Sequence, residues 1–267
     1  MSTLKSIGVF GGNGFLGRKI CEVGVKRGYE VTAFSRSGKP ATPVADKEWA
    51  SKVKWEKADI FNPESYQDKL SHLDTVVHSI GTLFENQAYK ASFNSNFNFL
   101  NDIKQLANFA KGANPMKKDY YRTYEAIQRD SAVILADAFL KEQNNDPSFV
   151  YISADKQIPF IPSGYITTKR EAEFELRNKK GLRSIIMRPN FMYEEEAGKF
   201  NKRDILKDFL NFGYLSKNAV FGNHLEFLNN LIRPSVSTER VSETIFEKVE
   251  DKNFSGIVFL DELYNDH

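Results

Sequence analysis

Apolar residues along this 267-residue chain gather in short runs, separated by longer stretches in which they recur at helical spacing. Seven runs have the length and the β-branched or aromatic content of strands: "SIGVF" from Ser6, "EVTAF" from Glu30, "VKWEKAD" from Val53, "DTVVHS" from Asp74, "SFVYIS" from Ser148, "RSIIMR" from Arg183 and "GIVFL" from Gly256. Helical periodicity lies between them, near 15–27, 63–71, 120–143, 163–179 and 237–250. Strand and helix alternate, which predicts an α/β fold with a Rossmann-like doubly wound parallel sheet. "TVVHSIG" and "SIIMRP" are apolar without a period of two, as strands covered on both faces are.

Two stretches break the alternation. Residues 82–119 form a long insertion rich in Asn and Phe after the fourth strand, and a loop of that length inside a domain is either functional or partly disordered. Residues 190–236 form the second. There Ile205, Leu206, Phe209 and Leu210 share a helical face, which predicts a small C-terminal substrate or partner lobe over the carboxyl ends of the strands. The expected domains are therefore a dinucleotide-binding domain of residues 1–189 and 237–267, and the lobe of 190–236.

A hydrophobic fraction of 41% over this length suffices for one large domain, or for one domain with a small lobe. The net charge of +2 carries no overall signal for nucleic acid, and none is expected as a partner. With Cys21 the single cysteine, an intramolecular disulfide is excluded, and His72, His78, His224 and His267 lie too far apart in sequence for a metal motif. No apolar run is long enough to span a membrane as a helix. The first strand starts near Ser6, so neither a secretory signal nor a cleavable Arg-rich presequence is expected ahead of it.

The first strand runs directly into "VFGGNGFLG", whose Gly11, Gly12, Gly14 and Gly17 satisfy both G-x-G-x-x-G and G-x-x-G-x-x-G. Such a loop must turn sharply from strand to helix, let a pyrophosphate lie against bare backbone, and let the helix sit close on the sheet; each demand removes a Cβ. The phosphates then rest at the helix N-terminus, where amide N–H groups point outward. Asn13, Phe15 and Leu16 lie within this cradle. The end of the second strand reads "AFSRSG", with Ser35 and Arg36 where a site for NAD usually places a carboxylate. Arg36 can pair bidentately with a 2′-phosphate, so NADP(H) is favoured over NAD(H). Asp59 and Ile60 after the third strand are placed to border the adenine, and Ser79 and Gly81 after the fourth complete the expected contacts.

In "SGYITTK", Tyr165 and Lys169 are four residues apart and share a helical face, while Ser153 ends the preceding strand twelve residues before Tyr165. A phenol is a poor acid or base at neutral pH until a nearby ammonium stabilises its anion. Tyr165 could then exchange a proton with a carbonyl or alcohol oxygen held by the Ser153 hydroxyl, with Lys169 also touching the nicotinamide ribose. The same residues are compatible with inherited geometry, in which Lys169 holds the ribose and Tyr165 only packs.

Taken together, "VFGGNGFLG", "YISADK", "IPSGYI" with "KREAE", "IIMRPNFMY" and "LIRPSVST" resemble the atypical short-chain dehydrogenase/reductase family over nearly the whole chain. The resemblance is strongest to its mitochondrial branch, which includes the 39-kDa NADPH-binding accessory subunit of respiratory complex I and the fungal members of coenzyme Q (ubiquinone) biosynthesis. It implies a protein on the matrix side of the mitochondrial inner membrane, associated with the proteins that build ubiquinone. It also implies that Gly11, Gly14 and Gly17 hold the pyrophosphate, that Ser153, Tyr165 and Lys169 form the active-site set, and that Arg188 and Pro189 flank the nicotinamide. The chain departs from the family in two respects. The helix "YEAIQRDSAVILADAF" lacks the Asn that many members carry there, and the 82–119 insertion has no counterpart in an ordinary reductase.

Three functions follow from these residues. One is an NADP(H)-dependent oxidoreductase on a prenylated quinone precursor, with Phe191, Met192, Tyr193, Phe209, Phe212, Tyr214 and Phe227 lining an apolar channel or simply forming core. The second is a nucleotide-binding accessory or assembly subunit without turnover, and the third a redox sensor. The stretch "KFNKRDILKDFLNFGYL" adds Lys199, Lys202, Arg203 and Lys207 to an apolar face, as a helix resting on an anionic inner membrane would, or one that covers the core.

Overall fold

The computed structural model describes residues 5–82, 120–143, 147–156, 162–194 and 234–264. The body of the 82–119 insertion lies outside them, as do residues 195–233 of the expected lobe, with Phe209, Phe212, Tyr214, Phe227 and the basic amphipathic stretch.

All seven expected strands form: β1 (Ser6–Phe10), β2 (Glu30–Ser35), β3 (Lys54–Lys57), β4 (Thr75–His78), β5 (Ser148–Ile152), β6 (Arg183–Met187) and, last in the chain, β9 (Gly256–Val258). They make one parallel sheet in the order β3-β2-β1-β4-β5-β6-β9. The order reverses between β1 and β4, and in sheets of this kind ligands bind in the crevice beyond the carboxyl ends of the strands at that point. Two further strands, β7 (Met192–Tyr193) and β8 (Val236–Ser237), pair in parallel and tie the two ends of the expected lobe together.

Alternate strand residues feed two cores. Ile7, Val9, Val31, Val77, Val150, Ile185 and Met187 pack under α1 (Phe15–Lys26) and the helix at Thr238–Glu250. Phe10, Phe34, Val76, Phe149, Tyr151 and Ile186 pack on the other face, under the helices at Ser131–Lys141 and Gly164–Arg177. With the short α2 (Glu48–Ser51) included, these three longer helices are α3 (Ser131–Lys141), α4 (Gly164–Arg177) and α5 (Thr238–Glu250), and α6 (Leu260–Tyr264) closes the described chain. Burying one large apolar side chain contributes roughly 1.5–3 kcal/mol, so two stacked layers of them dominate the driving force. Ser237 caps α5 by accepting a hydrogen bond from Arg240 N at 3.0 Å.

Two expected helices differ in kind. The 63–71 segment forms two 3-10 turns, Pro63–Ser65 and Gln67–Lys69, rather than an α-helix. It buries only Tyr66 and Leu70, and so short a segment gains too little to offset helix nucleation. The 120–143 segment is three pieces: a 3-10 turn at Tyr120–Arg122, a π-helical stretch at Glu125–Asp130, and α3. Its carbonyls are drawn away by side chains. The Tyr151 hydroxyl donates to Gln128 O at 2.8 Å and Ser131 Oγ to Ile127 O at 2.6 Å, which widens the helical ladder.

Candidate functional site

The glycine loop opens at the carboxyl end of β1, against both β2 and β4. Gly11 has φ +88°, a left-handed conformation that L side chains resist. Gly11 N and Gly12 N donate to Phe34 O at 3.0 and 3.3 Å, and Gly14 N to Gly11 O at 2.8 Å, so the turn is pinned to β2 and closed on itself. A Cβ on Gly17 would stand 2.1 Å from Gly11 O, and one on Gly12 2.7 Å from the Ala33 Cβ. Neither contact is with the far end of a flexible side chain, so neither can yield cheaply. Gly14 is the N-cap of α1 and supplies no side-chain cap, and the first turn holds no acidic residue. The outward amides and the positive end of the helix dipole are thus left to an anion. This bare, rigid, positively poled turn fits a pyrophosphate.

The other expected nucleotide residues ring the same turn. Leu16 is buried in the core beneath it, while Phe15 is half-buried with the Arg18 guanidinium 5.5 Å above its ring. Asn13 reaches across to β2, where its Nδ2 lies within hydrogen-bond distance of Ser35 Oγ (3.1 Å), Ser37 Oγ (2.9 Å) and Lys39 O (2.6 Å), its two protons divided among the three acceptors. Arg36 lies in the segment so held, exposed and, among the described residues, without an ion pair. Asp59 is exposed just past β3 and folds its own turn, Oδ1 accepting from Phe61 N at 3.1 Å, with Ile60 packed at the edge of the second core. Ser79 continues β4, its N donating to Phe10 O at 2.9 Å, and Gly81 is exposed two residues on. All of these are brought to the strand ends around the sheet's switch point.

The second cluster lies where β5 meets α4. Tyr165 and Lys169 are both buried on the inner face of α4, with Lys169 Nζ 5.5 Å from the Tyr165 ring centre and 5.3 Å from that of Tyr151. Lys169 Nζ donates to Ile152 O at 2.7 Å. Burial pushes its pKa down from 10.5 to about 7, against a smaller upward pull from Glu173. This lowered affinity for the proton weakens the help it can give a phenolate. Ser153 follows β5 directly, but its hydroxyl is turned to other work. It donates to the Glu173 carboxylate and accepts from Arg170 at 3.1 Å. The geometry thus brings Tyr165 and Lys169 together and commits Ser153 to the carboxylate one turn further along α4.

Arg188 is drawn into that group. Its Nε donates to Glu173 Oε1 at 3.0 Å, its second nitrogen bonds Oε2, and its guanidinium lies 5.4 Å from the Phe259 ring centre. Pro189 O accepts from Asp155 N at 2.9 Å, lashing the chain after β6 to the chain after β5. Sequence reading named Arg188 and Pro189 for the nicotinamide edge and overlooked Glu173. A signal for it existed: Tyr165, Lys169 and Glu173 are spaced by four, one stripe of α4.

Beneath lies His78, fully buried at the end of β4. Its Nε2 is 2.8 Å from Ser131 Oγ. Ser131 spends its own proton on Ile127 O, so His78 must carry its proton on Nε2. Burial, reinforced by the Lys169 charge, pushes its pKa down to about 3, and it stays neutral. Gln128 is buried opposite, its Nε2 donating to Thr82 O at 3.2 Å. No pattern in the sequence announced either residue.

Comparison with known proteins agrees with this arrangement. The NAD dependent epimerase/dehydratase family matches residues 7–121. The chain is 43% identical over 269 residues to MIOREX complex component 2 of Saccharomyces cerevisiae, covering 96% of this chain and 97% of that one. Among solved structures, a 3-oxoacyl-[acyl-carrier protein] reductase from Brucella melitensis superposes with a TM-score of 0.63 at 12% identity, covering 98% of each chain. A short-chain dehydrogenase/reductase from Serratia marcescens gives 0.59 at 14%, over 96% of this chain and 95% of that one. At such identities the two structures speak for the fold alone. The full-length relative places this chain in one family with MIOREX complex component 2, with residues 7–121 matching the NAD dependent epimerase/dehydratase family, which binds a nicotinamide cofactor, on a fold shared with short-chain dehydrogenases/reductases.

Proposed function

We propose that this protein binds NADP(H) and serves ubiquinone biosynthesis as a nucleotide-binding accessory subunit of the assembly that makes the quinone, on the matrix side of the mitochondrial inner membrane. The carrying observation is the glycine cradle with the exposed Arg36 beside it. The turn has no room for a Cβ at Gly17, and the exposed Arg36 at the end of β2, where a site for NAD usually has a carboxylate, supports the reading of a 2′-phosphate. The pathway and the compartment rest on the resemblance of "YISADK", "KREAE" and "LIRPSVST" to the ubiquinone branch of the family. A relative named as the component of a complex favours work within an assembly of proteins.

The accessory role rests on Ser153. A hydroxyl has one proton, and here that proton goes to Glu173. Ser153 cannot also donate to a substrate oxygen without stripping a bond from a buried carboxylate, a cost of about 1–3 kcal/mol. The oxidoreductase reading, on a prenylated quinone precursor, is favoured by one observation, the close approach of Lys169 to Tyr165. In that reading the nucleotide supplies hydride when bound, Tyr165 moves the proton and Lys169 orients the ribose.

Titration of purified protein with NADPH and NADH tests the first half, with Arg36→Ala expected to weaken NADPH about tenfold, the scale of one lost charge-assisted bond, and Tyr165→Phe to leave it unchanged. Cellular ubiquinone then separates the two roles. Normal quinone levels with Tyr165→Phe support the accessory role, and their collapse in a folded, nucleotide-binding Tyr165→Phe protein would establish catalysis.

A further inference from the structure

The glycine loop contains one polar side chain, Asn13, and the pyrophosphate cradle has no use for it: the turn is closed by backbone bonds alone. Instead the two protons of Asn13 Nδ2 are divided among three acceptors on the segment after β2, Ser35 Oγ, Ser37 Oγ and Lys39 O, at 2.6–3.1 Å. The grip is knotted from within. Gly38 N donates to Ser35 Oγ at 3.1 Å, Ser35 Oγ lies 3.3 Å from Ser37 Oγ, and Ser37 Oγ donates to Lys39 O at 3.3 Å. The residue carried on this knot is Arg36. Meanwhile the other end of the amide, Asn13 Oδ1, is buried without a hydrogen-bond partner. A buried acceptor left unmet is a cost the fold alone gives no reason to bear. The amide is therefore held for what its nitrogen does.

We infer that Asn13 is a positioning residue for coenzyme choice: it links the loop that receives the pyrophosphate to the loop that presents Arg36, and so fixes the guanidinium where a 2′-phosphate is read. The inference rests on the NADP(H) reading above. A long Arg side chain on an untethered loop pays ordering entropy when it binds, and a pre-ordered loop does not. Asn13 thus acts on the 2′-phosphate through Arg36 and contributes nothing to a nucleotide that lacks it.

The test is a double-mutant cycle read by nucleotide affinity, using purified wild type, Asn13→Ala, Arg36→Ala and the double variant, each titrated with NADPH, NADH and 2′,5′-ADP, with melting temperature as the check on folding. Asn13→Ala is expected to weaken NADPH and 2′,5′-ADP about fivefold and to leave NADH unchanged, the scale of losing pre-organisation rather than a direct charge contact. In the Arg36→Ala background it should have no further effect. Equal weakening of NADPH and NADH by Asn13→Ala overturns the inference, since Asn13 would then serve the cradle as a whole. So does an undiminished Asn13→Ala effect in the Arg36→Ala background, or no effect at all. If Arg36→Ala itself leaves NADPH unchanged, the NADP(H) reading falls first and the inference falls with it. Asn13→Ser provides the control should Asn13→Ala fail to fold: a single hydroxyl too short to span the three acceptors should reproduce the NADPH-selective loss.

Discussion

The two halves of the candidate site are built from different materials. The cradle between β1 and α1 is backbone: left-handed Gly11, bare Gly17 and amides aimed outward, set within a few consecutive residues. The β5–α4 cluster is side chain: Ser153, Lys169, Arg170, Glu173 and Arg188, gathered from two strand ends and a helix and locked by mutual charge. One region is defined by what has been removed, the other by which groups have found each other. The first tolerates almost no change of shape, and the second almost no change of charge.

That contrast predicts opposite responses to mutation. The largest effect on stability belongs to Glu173→Ala. It leaves the Arg170 and Arg188 guanidinium groups facing each other without their shared carboxylate, and removing one partner of a buried pair costs about 3–5 kcal/mol. Chemical denaturation should show that loss, with NADPH affinity falling much less than stability, while Glu173→Gln should recover part of it. An unchanged denaturation midpoint would mean that the cluster is held by packing rather than charge.

Gly17→Ala should behave the other way. Its methyl group would press on Gly11 O, and overpacking of this kind costs about 1–3 kcal/mol. The displaced turn loses its phosphate amides, and two charge-assisted bonds forgone correspond to about a 100-fold weaker NADPH affinity. Retention of full affinity would show that the phosphates lie elsewhere.

The most gradual effect, spread over several pH units, sharpens the comparison through pH. Lys169 is held near 7 in the fold against 10.5 when free, so between those values the unfolded chain binds the extra proton. Its contribution to stability therefore rises with pH across that window, at a slope approaching about 1.4 kcal/mol per pH unit. Measured against Lys169→Met, wild-type stability should climb from pH 7 to pH 10. A flat difference would mean that Lys169 keeps its charge inside the protein.

Legibility followed the same divide. The central strands were readable because they bury both faces and so are apolar nearly throughout, as "TVVHS" and "SIIM" are, whereas the edge strand β3, "KWEK", is half-exposed and polar. The glycine turn was readable because a missing Cβ leaves a mark at fixed spacing. The π-helical stretch at Glu125–Asp130 was not, since it exists because a tyrosine from β5 claims a carbonyl of another element. His78 was equally silent, its protonation set by a serine far away in the sequence.

The sequence alone determined the alternating elements, the cradle and the pairing of Tyr165 with Lys169 on one helical face, because all three depend on neighbours within a few residues. Only the tertiary structure decided that the Ser153 proton goes to Glu173, that Arg188 joins the same carboxylate, and that Asn13 fastens the loop bearing Arg36. Those choices belong to hydrogen-bonding capacity, which is finite. Which partner uses it is settled only when distant parts of the chain are brought within 3 Å of one another.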